Sequence, residues 1–156
     1  MELDPSVLPE FAPLFEIGIY EKTMPEFEIW VKEQFSNSET RNRIFRNFQT
    51  LIAKIQAFNI SFEVWVDGSF LTTKPEPKDI DLLILAKKRD VNKLPLEKQD
   101  KFYGFFSYEN TQNIKALYNC DTGFIIREKK RDYDFWYEWF SKSRSGQTKG
   151  FICIKF

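Results

Sequence analysis

The sequence predicts an α+β (α/β) domain with a small mixed β-sheet and helices packed mainly on one face. Its 156 residues are enough for one domain with a core, and 42% of them are hydrophobic. An aliphatic run at residues 80–86 is typical of a strand buried on both faces, and it follows a long amphipathic helical pattern. This order of elements indicates a layered fold, and residues 1–156 are expected to form a single domain.

The N-terminal third of the chain predicts an arm followed by two helices. Prolines and a glycine interrupt residues 1–22, which indicates an extended arm laid over the domain without a strong element. Thr23 begins a capping signature, with a proline and a glutamate in the first turn of a helix over 24–35. The capping spacing repeats at Ser36, and apolar residues then recur at steps of three and four until Asn59 ends a second helix.

The rest of the chain alternates between strand and helix patterns. Helices are predicted near residues 95–106 and 109–118, and Asp132 is expected to cap a last helix rich in aromatic side chains. β-branched and aromatic runs predict the strands, which lie at residues 62–66, 80–86, 120–127 and 151–156.

The composition excludes several kinds of chemistry. Lys plus Arg and Asp plus Glu both number 23, so no overall charge attracts duplex DNA or an anionic membrane. The absence of histidine excludes Ser-His-Asp and Cys-His triads, and two scattered thiols cannot complete a zinc site. Cys120 and Cys153 are expected to be buried and reduced, and no leader or membrane segment is recognised, so a cytoplasmic protein is predicted. Acid, base and metal chemistry is left to carboxylates.

Asp79 and Asp81 stand on either side of Ile80 at the entry to the predicted strand over 80–86. Because strand side chains alternate, both carboxylates point to the same side. Two carboxylates this close repel each other unless a cation joins them. Oxygen ligands suit Mg²⁺, which completes its coordination with water and substrate phosphates. The pair therefore predicts a divalent-cation site, with a solvated strand end as the alternative.

Gly68-Ser69 directly follows the strand pattern at residues 62–66. A tight turn at a glycine can expose backbone N–H groups and a hydroxyl at the start of a short helix, which is one way in which proteins hold phosphate. The alternative is an ordinary turn, since Gly and Ser are common there. The two residues are candidates for a phosphate-binding turn.

Gly68-Ser69 is followed by nine residues and then by Asp79-Ile80-Asp81-Leu82. In residue type and spacing, this resembles the signature of the nucleotidyltransferase superfamily that includes DNA polymerase beta. The stretches 65–69, 77–81 and 144–150 also resemble a small stand-alone bacterial and phage branch of that superfamily. The resemblance implies a nucleotidyltransferase-like fold.

The resemblance also implies a third carboxylate on a later strand, for which Asp121 has the best position; the alternative is a strand-entry aspartate. It implies transfer of NMP from an NTP, with ATP favoured, using Mg²⁺ or Mn²⁺ held by Asp79, Asp81 and Asp121. Gly68 and Ser69 would then bind the phosphates. Further cations expected to neutralise phosphate charge are Lys74, Lys78, Arg144 and Lys149.

The acceptor implied by the resemblance is a hydroxyl group of a protein or RNA, since the chain is similar to minimal nucleotidyltransferases of toxin–antitoxin and phage-defence systems. The alternative is a catalytically silent binding or antitoxin module that keeps the fold and acts by protein–protein contact. A position in the core or an interface, rather than a base-stacking platform, is expected for the aromatic cluster Phe135, Trp136, Trp139 and Phe140. Asp132 and Asp134 are expected to be capping and surface charges.

Overall fold

The computed structural model of the chain describes residues 10–156, which form six α-helices and one five-stranded sheet. The strands are β1 Gly18–Glu21, β2 Glu63–Asp67, β3 Ile80–Ala86, β4 Cys120–Ile126 and β5 Gly150–Lys155. The helices are α1 Met24–Gln34, α2 Glu39–Gln56, α3 Lys88–Asn92, α4 Leu96–Phe105, α5 Tyr108–Tyr118 and α6 Lys130–Phe140. A short 3-10 turn, Ser69–Leu71, follows β2.

The sheet is mixed, with the strand order β1-β5-β2-β3-β4. The central strand β2 is antiparallel to both β3 and β5, whereas β4 runs parallel to β3 and β1 runs parallel to β5. The register places Asp67 opposite Asp81 and Asp81 opposite Asp121. The predicted α+β class with a small mixed sheet is confirmed.

The two faces of the sheet carry different helices. On one face, Phe124 of β4 packs edge-on against Phe102 of α4, with 5.3 Å between ring centroids. On the other face, Trp65 of β2 packs against α6, with its ring centroid 5.1 Å from that of Tyr133 and 6.3 Å from that of Phe140. Residues directly opposite one another share a face, so the three aligned aspartates lie on the face that α6 partly covers.

The predicted helices and strands are present, with small shifts at their ends. The bounds of β3 agree with the prediction, and β2 extends one residue further to include Asp67. Ser38, rather than Ser36, caps α2, and its hydroxyl accepts a hydrogen bond from the backbone N–H of Arg41 at 3.3 Å. The cap predicted for Asp132 is wrong, because α6 begins at Lys130 and Asp132 lies in its first turn.

Two elements were not predicted. The five-residue helix α3 is one, and strand β1 within the expected arm is the other. Strand β1 forms because it pairs with β5. The arm approaches β5 so closely that a Cβ on Gly150 would lie 2.2 Å from the backbone oxygen of Glu16. The close approach of the arm thus requires a glycine on the partner strand. Residues 1–9 of the arm lie outside the described residues. Between residues 10 and 156, no helix is long and apolar enough to cross a bilayer.

Candidate active site

Four aspartates gather at one end of the sheet. Asp67, Asp81 and Asp121 lie opposite one another on β2, β3 and β4, and Asp79 precedes β3 by one residue. Side chains of directly opposed residues point to the same face, and so do those of residues two apart on an extended chain. The parallel pairing of β3 and β4 therefore brings Asp121 to the predicted carboxylate pair.

Burial and mutual repulsion shape the titration of the carboxylate pair. The pKa of Asp81 is raised to about 6, chiefly by burial and then by the negative charges of Asp79 and Asp121. The pKa of Asp79 is also raised, first by burial, while the positive charge of Lys115 opposes the rise. A divalent cation between these groups would favour their charged forms. The site thus has the electrostatic character of a cation-binding position.

Asp67 was not singled out from the sequence, although it is the most buried of the four aspartates. Its side chain is 4% exposed, and the Nζ of Lys149, whose side chain is 12% exposed, lies 3.1 Å from its Oδ1. Within the described residues this oxygen has no hydrogen-bond partner, so the contact is an ion pair without hydrogen-bond alignment. Burial raises the pKa of Asp67 to about 7 against the opposing charge of Lys149. Lys149, predicted to bind phosphate, is thus held beside Asp67.

Gly68 brings the phosphate-binding candidate into contact with the metal-binding candidate. A Cβ on Gly68 would lie 2.7 Å from Asp81 Oδ2, and the glycine has a φ of +87°. Ser69 then begins the 3-10 turn, whose last residue, Leu71, donates its N–H to the Gly68 carbonyl at 3.1 Å. The backbone of the turn therefore lies against the Asp81 carboxylate, with no side chain between them.

Arg41 positions this turn from below, a role that sequence reasoning missed. Its side chain is only 1% exposed, and its guanidinium donates to the carbonyl oxygens of Thr72 at 2.8 Å, Pro75 at 3.1 Å and Phe70 at 3.2 Å. Burial lowers the pKa of Arg41 to about 10, which still leaves it charged at neutral pH. A charged residue on the apolar face of helix α2 was the available signal for this role.

The predicted cations divide into two groups. Lys149 and Lys74 lie close enough to the carboxylates to lower the pKa of Asp81 and Asp79, respectively, whereas Lys78 and Arg144 are exposed to solvent. Another cation, Lys115, was missed. Its Nζ lies 3.4 Å from Asp121 Oδ2, and it comes from the last turn of α5, directly before β4. Only the chain reversal between α5 and β4 places it there, and its spacing from Asp121 gave no signal.

The fit to a divalent cation rests on few ligands. Although four aspartates lie at this end of the sheet, no three Asp, Glu, His or Cys side chains within residues 10–156 are placed so that together they could hold a metal ion. Magnesium usually binds proteins through one or two carboxylates and completes its octahedral shell with water and substrate phosphates. Asp79 and Asp81 fit that donor set, and both Asp121 and Asp67 lie directly opposite Asp81 in the strand register.

A small pocket opens beside the carboxylates. Its volume is about 140 Å³, and it lies between the ends of β3 and β4 and helix α6. Its lining includes Asp81 and Asp121 from the strands and three aromatic side chains from α6, which are Trp136, Trp139 and Phe140. The aromatic cluster expected in the core or an interface is thus divided, because Phe140 is buried whereas Trp139 is 66% exposed.

Comparison with known proteins gives one family assignment. The sequence model of a family described as a family of unknown function (DUF6932) matches residues 9–155. The chain belongs to this family. No curated protein and no solved structure matches the chain. For this member of the DUF6932 family, the chemistry is therefore inferred from the aspartates, the Gly68-Ser69 turn and the adjoining pocket.

Proposed function

We propose that this protein is a metal-dependent nucleotidyltransferase that moves NMP from an NTP, favourably ATP, to a hydroxyl of a protein or RNA acceptor. One observation carries the proposal. The Gly68 turn packs against the carboxylate of Asp81, while the strand register puts Asp121 beside Asp81. The turn proposed to bind phosphate and a carboxylate proposed to bind the metal ion thus lie in direct contact, which supports their acting on the same nucleotide.

Each residue has a defined task in this proposal. Asp79 and Asp81 hold Mg²⁺ or Mn²⁺, which when bound stabilises charge on the phosphates. The amides and hydroxyl at Gly68-Ser69 hold the outer phosphates. Asp121 takes the proton of the acceptor hydroxyl. The acceptor oxygen bonds to the α-phosphorus, the bond from the α-phosphorus to the oxygen that bridges to the β-phosphate breaks, and pyrophosphate leaves. Lys74 and Lys149 supply positive charge beside the carboxylates.

The biological setting proposed with this activity is a toxin–antitoxin or phage-defence system, in which a small transferase modifies a protein or an RNA. It follows from the sequence resemblance, since the family description names no activity. The same resemblance supports ATP as the favoured nucleotide. The acceptor is therefore sought in whole-cell lysate, which contains both classes of macromolecule.

The test is a transfer assay with α-³²P-labelled NTPs, Mg²⁺ or Mn²⁺, and whole-cell lysate. Wild-type protein is expected to label a macromolecule and to release pyrophosphate. The double variant Asp79→Ala/Asp81→Ala is expected to lose at least 100-fold of this activity, since removing even one electrostatic stabiliser of a transition state typically costs about 10²–10³-fold. RNase and protease treatment of the labelled product identifies the acceptor class.

The matched control is Asp132→Ala/Asp134→Ala, which removes an Asp-x-Asp pair on α6. Both of these aspartates are exposed, and Asp134 pairs with Lys130 on the surface of the helix. This variant should label as wild type does. If wild type labels nothing and releases no pyrophosphate, or the Asp79/Asp81 variant matches wild type, the enzyme proposal fails. A binding or antitoxin module then becomes the better account.

A further inference from the structure

We propose that the pocket beside the aspartates is a nucleobase subsite, in which the indole of Trp139 stacks on the base of the bound nucleotide. This inference rests on the proposed function and adds to it the part of the substrate that the carboxylates and the Gly68-Ser69 turn do not contact. It assigns a binding role to side chains of α6, which the sequence alone placed in the core or an interface.

The pocket joins acidic and aromatic walls. Asp81 and Asp121 line it on the strand side, and Trp136 and Trp139 line it on the helix side. Its floor is close-packed, because a Cβ on Gly123 would lie 3.2 Å from the Trp136 ring. The Trp136 indole therefore packs directly on the Gly123 backbone. A planar ligand between these walls would lie directly beside the proposed metal ligands.

Two aromatic side chains of α6 are largely exposed to solvent, and a role in the core does not explain this exposure. Trp139 is 66% exposed and Phe135 is 58% exposed, and their rings are stacked at 11° with centroids 6.3 Å apart. Neither ring contributes most of its surface to the core, and large aromatic side chains are usually well buried. Of these two rings, Trp139 lines the pocket and provides a stacking surface there for another flat ring.

The size of the pocket selects one ring rather than a whole nucleotide. Its volume is about 140 Å³. Pockets that enclose a complete drug-sized ligand are larger, at about 300–1,000 Å³. The base would therefore occupy the pocket, while the ribose and phosphates extend over Asp81 and Asp121 toward Gly68-Ser69. A nucleotide has both parts that such a site would bind, namely a flat base and phosphates that bind metal ions.

The polar lining predicts little selection among bases. Apart from the two aspartates and the indoles, the lining includes one residue with a polar side chain, Thr122. Its side chain lies on the face of β4 opposite to that of Asp121, and its hydroxyl donates to the Cys120 carbonyl at 3.4 Å. Stacking tolerates any base because every base has a π face. The subsite should therefore strengthen binding of all four NTPs to a similar degree.

The experiment measures binding by isothermal titration calorimetry without an acceptor. The probes are a non-hydrolysable ATP analogue with Mg²⁺ and inorganic tripolyphosphate with Mg²⁺. Trp139→Ala is expected to weaken binding of the ATP analogue roughly tenfold, within a range of about 5- to 100-fold. The affinity for tripolyphosphate should stay unchanged. Tyr108→Ala is the matched control, since Tyr108 is 82% exposed, lies outside the pocket lining, and should leave both affinities unchanged.

Each other outcome overturns the subsite. If Trp139→Ala binds the ATP analogue as tightly as wild type does, the base lies elsewhere, while the proposed function stands. If this variant keeps the wild-type affinity for the ATP analogue but slows transfer in the labelling assay, the pocket holds the acceptor. If Trp139→Ala weakened the binding of tripolyphosphate as much as that of the ATP analogue, the substitution would have disturbed the whole site. If wild type binds neither probe, the proposed function and the subsite fall together.

Discussion

Gly68 is the residue on which the geometry of the site depends most directly. Its φ of +87° and ψ of −165° lie in a region that is essentially restricted to glycine. Its missing side chain also leaves the space that the Asp81 carboxylate occupies, since a Cβ would lie 2.7 Å from Oδ2 and 2.8 Å from Cγ. The same glycine thus satisfies a backbone requirement and a packing requirement.

Gly68→Ala should therefore displace Asp81 and distort the turn. We expect the free energy of unfolding to fall by about 1–3 kcal/mol from backbone strain, and Mn²⁺ affinity to fall markedly because a proposed ligand, Asp81, moves. Urea unfolding and Mn²⁺ titration followed by electron paramagnetic resonance measure the two effects. Gly146→Ala is the control, since Gly146 has a φ of +85° but nothing within 4 Å of an added Cβ. Equal Mn²⁺ affinities in both variants would contradict the role of Gly68.

Helix α2 and the segment after β2 form one structural unit at the element scale. Arg41 of α2 donates hydrogen bonds to backbone carbonyls of that segment, and its guanidinium carbon lies 3.6 Å from the centroid of the Phe35 ring. Glu76 completes the connection, because it accepts a hydrogen bond from the backbone N–H of Thr40 at 2.9 Å. The first turn of α2 thereby holds the Gly68-Ser69 turn at the site.

Arg41→Ala should lower the free energy of unfolding by about 3 kcal/mol or more, because buried carbonyls lose a charged donor. Arg41→Lys should recover only part of this loss, since an ammonium cannot reproduce the fork of the guanidinium. Urea unfolding measures both effects. Arg43→Ala, at an exposed position of the same helix, should change stability by about 0.5 kcal/mol or less. A comparable loss in both alanine variants would contradict the assigned role of Arg41.

Local sequence patterns predicted the helices and strands better than they predicted the tertiary contacts between them. Capping residues and apolar periodicity located α1 and α2, and aliphatic composition located β3 with the correct bounds. Strand β1 was missed because its residues carry no strong strand pattern and are held by pairing with β5. The buried Arg41 was missed for a related reason, since its partners are backbone carbonyls 28 or more residues away.

At the scale of the whole molecule, the sheet gathers negative charge at one end of three neighbouring strands. The pKa of Asp67 is raised to about 7 and that of Asp81 to about 6, in each case chiefly by burial, from an ordinary value of 3.8. Between the ordinary and raised values, the folded state binds more protons than the unfolded state. Stability without metal must then fall as pH rises through this window.

We therefore expect the free energy of unfolding, measured with urea in EDTA, to decrease from pH 5 to about pH 7.5. Asp67→Asn should reduce the slope, because it removes the group with the higher raised pKa. Added Mg²⁺ should flatten the slope by stabilising the charged form of Asp81. The exposed Asp132→Asn is the control and should keep the wild-type slope. A stability that stays constant or rises over this range in wild-type protein would contradict the burial-driven shifts.

The sequence by itself determined the parts of the site that depend on neighbours along the chain. The alternation of an extended strand makes Asp79 and Asp81 point the same way, and a Gly-Ser turn after a strand is a local property. Only the tertiary structure decided that Asp121 and Asp67 lie on either side of Asp81, that Lys149 pairs with Asp67, and that the α6 indoles line the pocket. Strand order, register and helix placement depend on contacts between distant residues, which local spacing does not specify.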